Sequence, residues 1–200
     1  EAWLHAELFS HLKEASDTTK WMPFPTEIPY FTESAVLPRG GKTSGVKWAD
    51  LCLVNQKTLE WCWFEFKVRH LGSGTRKMAA ALSGRNAFKK DVVRLMGMNI
   101  SETQSIWEHP PPGVKSHIIP THLSGKAASL AKHRNHYVAA FLQIGSSTDD
   151  ENLWLEEPLN SQIQKWASTR KLKQVSHLKF KTMQIENCFL CMISIERLNS

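Results

Sequence analysis

The run GVKWADLCLVNQKTLEWCWFEFKVRH at residues 45–70 constrains this chain more than any other. Its residues alternate on either side of a short polar link, Asn55 to Thr58, which is the pattern of two antiparallel strands over about 47–54 and 59–69. Alternation sets Glu65 and Lys67 on one face of the second strand and Phe64, Phe66 and Val68 on the other. With the turn centred on Gln56 and Lys57, position 50 stands opposite 63 and Asp50 joins the face of Glu65 and Lys67. Leu51 and Leu53 then meet Cys62, Phe64 and Phe66 on the apolar face. A one-residue slip would reverse this relation, so the grouping of the three polar residues depends on the turn.

The rest of the chain supplies elements for such a hairpin to pack on. Leu4, Leu8 and Leu12 beside Trp3 predict an amphipathic helix over 1–15, ended by the proline-rich segment from Trp21 to Pro29, which leads into a strand near 30–37. Gly40, Gly41 and Gly45 turn the chain before the hairpin. A helix over 76–97 follows, with Ala87, Phe88, Val92, Leu95 and Met96 on one side and Lys89, Lys90 and Arg94 on the other. The pattern weakens over 99–135, where a short helix is expected near 124–133. A buried strand at 137–145, a helix at about 158–169 and a last strand near 187–196 complete the order α, β, β, β, α, β, α, β. No repeat or low-complexity tract is present.

Two hundred residues, 42% of them apolar, suit one globular domain spanning 1–200. The formal charge of +6 points toward an anionic partner. Four cysteines are too few for a disulfide scaffold, and no apolar run approaches the roughly 18–20 residues that cross a bilayer, so an intracellular protein without a membrane partner is expected.

Two carboxylates beside a lysine suit a hard divalent cation such as Mg²⁺, which takes oxygen ligands and keeps waters for a substrate phosphate. Such an ion neutralises charge building on phosphorus and acidifies a bound water, while the lysine orients the water or stabilises the developing charge. In this respect the sequence resembles the PD-(D/E)XK, or restriction-endonuclease-like, nuclease superfamily: Asp50 in WAD matches the family's first aspartate, and Glu65-Phe66-Lys67 in WFEFKV matches its (D/E)-x-K. The resemblance implies an α/β fold with an αβββαβ core, a mixed central sheet and flanking helices. It also implies a metal-dependent endonuclease acting on DNA before RNA. Asp50, Glu65 and the carbonyl of Phe66 would ligate Mg²⁺ or Mn²⁺, and Lys67 would serve the attacking water. Glu7 is the candidate for the acidic residue that members often add from the first helix. Members often pair as homodimers to cut both strands. Ala49 stands where many members have proline, and no Q-x-x-x-Y follows Lys67, which argues against a RecB-like exonuclease. An inactive nucleic-acid-binding or assembly module with the same fold is the alternative.

Lys42, Arg69, Arg76, Lys77, Lys89, Lys90 and Arg94 are the candidate phosphate contacts. Trp61 and Trp63 offer a stacking platform, but their place near the turn favours core packing. GGKT at 40–43 lacks the first glycine of a phosphate loop, since Val36 stands there. Cys188 and Cys191 have zinc-like spacing on an apolar strand where they face opposite ways, so core thiols are expected. His133 and His136 lack a metal motif and read as surface or phosphate-contacting residues.

Overall fold

The computed structural model describes residues 2–24, 27–33, 45–70, 88–109, 127–144, 150–169, 176–185 and 188–197. The protein is mixed α/β, with a mixed central sheet and helices. It groups into two compact units: one holds residues 2–64 and 98–136, the other 65–97 and 137–200 with Glu1. No helix among the described residues is long and apolar enough to cross a membrane.

The first unit starts with α1 (Ala2–Glu14) and the single turn α2 (Ser16–Thr19), closed by Lys20 in the left-handed region at φ 62°. Then come β1 (Trp21–Pro23), β2 (Ile28–Thr32), β3 (Val46–Ala49), β4 (Leu51–Asn55) and the start of β5 (Trp61–His70). The proline-rich segment is thus strand at both ends: β1 pairs with β4, and β2 pairs with β3. The predicted single strand over 47–54 is two strands separated by a bend at Asp50. β3 belongs to a small sheet ordered β3-β2-β6, with β6 at Met98–Asn99, whereas β4 lies between β1 and β5. Asp50 is therefore the corner where the chain leaves one sheet for another, a place suited to a residue disfavoured in strands and favoured in turns. Gly45 is needed for space, because a Cβ there would lie 2.5 Å from the Phe31 ring.

β4 is buried on both faces, with Leu51, Cys52, Leu53 and Val54 at 7% exposure or less, as befits a strand with neighbours on either side. Its partner contributes Trp61 and Trp63, the centre of an aromatic cluster. Trp61 stacks on Phe24 at 5.4 Å and on Trp63 at 6.0 Å, and Tyr30 meets Trp63 edge-on at 6.4 Å. The cover is α4 (Ile100–Glu108), whose Trp107 packs on Trp61 at 5.5 Å and on Trp63 at 5.9 Å. Trp107 Nε1 donates to Pro29 O at 2.7 Å, and Trp63 Nε1 donates to Asn135 Oδ1 at 2.9 Å, so two of these indoles keep a hydrogen bond while packed. The core-packing expectation for Trp61 and Trp63 holds.

Helix α4 falls where the apolar pattern weakens, yet its start was written in the sequence. Asn99 is its N-cap, accepting from the Glu102 amide at 3.0 Å. Thr103, fully buried, donates to Asn99 O and accepts from Phe31 N, tying the helix to β2. A 3₁₀ turn at Ala127–Lys132 matches the short helix expected near 124–133.

The second unit holds the rest of β5, α3 (Phe88–Met96), β7 (Asn135–Ile144) from Tyr137 onward, α5 (Asp150–Thr169), β8 (Ser176–Ile185) and β9 (Cys188–Arg197). Residues 76–87 of the predicted helix lie outside the described residues. β9 runs between β7 and β8, antiparallel to both, and buries Phe189, Cys191, Ile193 and Ile195 on one face. β8 was not expected from the sequence. Its alternation of Leu178 and Phe180 with exposed Lys179 and Lys181 is that of an edge strand, where lysines discourage further pairing. Phe88 of α3 packs on Phe141 of β7 at 5.6 Å. Near the end of α3, Arg197 donates to Leu95 O at 2.7 Å and lies over the Tyr137 ring at 4.0 Å, a cation placed at the negative end of a helix.

Candidate active site

The hairpin turn fixes the geometry. Asn55 Oδ1 accepts from Lys57 N at 2.9 Å and Thr58 N at 3.0 Å; Leu59, at φ 58°, then turns the chain so that Asn55 N meets Glu60 O at 2.8 Å. The centre of the turn therefore lies between Lys57 and Thr58. The ladder pairs Leu51 with Phe64, Cys52 with Trp63, Leu53 with Cys62 and Val54 with Trp61. This corrects the expected register by two residues: Cys52, and not Asp50, stands opposite Trp63. An even shift leaves every residue on its face. Cys52 and Val54 share the face of Trp61 and Trp63, and Leu51 and Leu53 share that of Cys62 and Phe64.

Past the last pair, Leu51 with Phe64, the next residue on one strand is Asp50 and on the other Glu65. Asp50 is half-buried at the sheet corner. Glu65 continues the face of Trp61 and Trp63 and is 5% exposed. A carboxylate at that depth is costly unless partnered. Phe66 and Lys67 are half-buried on β5, with Lys67 on the Glu65 face by alternation. Glu65 and Lys67 belong to the second unit and Asp50 to the first.

Glu7 does not turn inward. Its side chain is 53% exposed and lies 4.0 Å from His11 one turn along α1, so this position of the helix faces solvent. Of the candidate phosphate contacts, Lys89 and Lys90 flank Trp166 of α5, each ammonium within 5.7 Å of the ring centroid. Arg94 is engaged by Asp91 at 2.8 Å, and Asp91 is buried. Neither Trp166 nor Asp91 was singled out in the sequence; for Asp91 the signal was its i, i+3 spacing from Arg94 on one helix. Arg69 is carried by β5, while Lys42, Arg76 and Lys77 lie outside the described residues.

Among the described residues no three His, Cys, Asp or Glu side chains gather as a metal cluster. The donor set that the resemblance implies, two carboxylates and a backbone carbonyl, would be a hard-oxygen one of the kind that suits Mg²⁺ with water. His136 instead lies 4.0 Å from Glu60. The four cysteines are free thiols; burial pushes Cys52 well above the ordinary thiol value and Cys62 up to about 12, so both are protonated at neutral pH and poor metal ligands. Comparison with protein-family models, curated proteins and solved structures found no match to this chain.

Proposed function

We propose that the protein is a metal-dependent nuclease that hydrolyses phosphodiester bonds, DNA before RNA, with Asp50, Glu65 and Lys67 as its working residues. The observation that carries the reading is the register of the hairpin: Asp50 and Glu65 are the residues that follow the Leu51 and Phe64 pair, and Glu65 is a carboxylate kept where the same strand face otherwise buries tryptophan. Asp50 and Glu65, with the Phe66 carbonyl, would hold Mg²⁺ or Mn²⁺. Bound there, the ion supplies charge neutralisation at the phosphoryl oxygens and a more acidic water. Lys67, two residues from Glu65 on the same face, donates to the attacking water or to the oxygen that gains charge. Lys89 and Lys90 contribute phosphate contacts from α3.

A second reading, a module that binds nucleic acid without cutting, gains from the solvent-facing Glu7, which leaves two carboxylates where many members use three. Incubation of labelled single-stranded, duplex and branched DNA and of RNA with Mg²⁺, Mn²⁺ or EDTA, beside Glu65→Ala and Lys67→Ala, separates the two. Metal-dependent cleavage lost in both variants supports the nuclease; binding without cleavage on every substrate supports the module.

A further inference from the structure

At the other end of β4 from Asp50, backbone hydrogen bonds join three separate segments that each carry exposed cations. The hairpin turn carries Lys57, exposed. Lys20, the exposed cap of α2, is fastened to the turn by the hydrogen bond from Gln56 N to Lys20 O at 2.8 Å. The segment leading into β7 carries Lys132 and Arg134, both exposed, and is fastened by the bond from Trp61 N to Arg134 O at 2.9 Å. Asn135 holds that segment in shape: its amide donates to Leu130 O and His133 O, and its side-chain oxygen accepts from Trp63. The same segments carry two carboxylates: Asp17, whose backbone oxygen accepts from Lys20 Nζ, and Glu60, 4.0 Å from His136. Two rings adjoin them: the half-buried Trp21 meets the His136 ring edge-on at 6.3 Å.

We infer that this rim is a second docking surface for a polynucleotide backbone, with Lys57, Lys132 and Arg134 as the phosphate contacts. The inference rests on the nuclease reading only for what the substrate is. Cations borne on a hydrogen-bonded frame answer a polymer with a regular array of charges, and adjacent rings suit bases or sugars. A protein partner would call for an apolar centre within a polar rim. The exposed large hydrophobic residue among those described is Met183, on β8 in the other unit. Five strand residues at about 3.3 Å each set the rim roughly 17 Å from the Asp50 corner. That is the length of about five nucleotides along one strand, at roughly 3.4 Å per step. The rim thus grips the substrate several nucleotides from the bond to be cut.

The test is the salt dependence of binding to labelled single-stranded and duplex DNA in EDTA, for wild type, the triple variant Lys57→Ala, Lys132→Ala, Arg134→Ala, and a control, Lys179→Ala with Lys181→Ala, which removes exposed cations from β8. Thermal melts confirm that each is folded. The triple variant is expected to lower the slope of log K against log salt by about 2 to 3, at 0.7 to 0.9 per phosphate lost, while the control leaves it in place. An unchanged slope in the triple variant, or an equal drop in the control, overturns the inference. So does wild-type binding displaced by polyglutamate as readily as by unlabelled DNA, which would mark an acidic protein as the partner. The two readings fail separately: a slope change with no cleavage by wild type removes the nuclease and leaves the rim, and wild-type cleavage with unaltered binding by the triple variant does the reverse.

Discussion

The two halves of β5 lie on one strand and present one face, yet they serve opposite ends. Trp61 and Trp63, at 1% and 0% exposure, are sealed among Phe24, Tyr30 and Trp107. Two residues on, Glu65 is almost as buried but carries a carboxylate, and Lys67 follows at half-burial. The first half yields free energy by removing aromatic surface from water; the second forgoes that gain and buries an ionisable carboxyl in its place. A strand that could have continued as tryptophan and leucine keeps ionisable groups instead, and that contrast is what makes the second half a candidate site.

Substitutions in the two halves should therefore separate stability from activity. Trp63→Ala removes a fully buried ring of the cluster and leaves Asn135 Oδ1 without its donor. We expect a loss of about 3–5 kcal/mol in urea unfolding. Under the nuclease reading Glu65→Ala lowers the cleavage rate by about 10²–10³-fold, while the folded protein still binds DNA in EDTA. If Glu65→Ala instead unfolds the protein as Trp63→Ala does, the halves are alike and the contrast breaks. Lys67→Ala should cost about 10²-fold in rate with little change in the urea midpoint, and a pH–rate profile altered relative to wild type would sharpen its role as a proton-handling group.

A further prediction uses pH. Burial raises Cys62 from 9.0 to about 12 and, despite the opposing Arg197 guanidinium, raises Tyr137 from 10.0 to about 12. Each group is held protonated in the fold, so its stabilising effect is complete below the unfolded value and is lost as pH rises toward the folded one. The urea midpoint should fall between about pH 9 and 12, less steeply in Cys62→Ala; a flat profile across that range would contradict both shifts. The smallest effect expected is that of Trp107→Phe, which keeps a ring over Trp61 and Trp63 but deletes the donor to Pro29 O, for a cost of about 1 kcal/mol.

Much of this was legible because it follows from local periodicity. The first helix, the hairpin, the strand at β7, the last strand and the burial of Trp61 and Trp63 can each be read from spacing alone. Helix α4 was signalled by Asn99 and Glu102, a cap pattern that outlasts a weak apolar stripe. Strand β8 was signalled by alternation, with its lysines masking the apolar half. The exact register was not legible, since Asn55 and Leu59 choose among turns that differ by a few hydrogen bonds.

What the sequence by itself determined is which face each residue of the hairpin occupies, because a period of two survives any even slip. What only the tertiary structure decided is where those faces lead. The bend that makes Asp50 a corner comes from β3 pairing with β2 while β4 pairs with β1 and β5. The joining of the segments that carry Lys20, Lys57 and Arg134 likewise depends on partners far away in sequence. Local patterns specify orientation about a strand or helix axis; only the competition of distant segments for the same hydrogen bonds and apolar surface specifies which elements become neighbours.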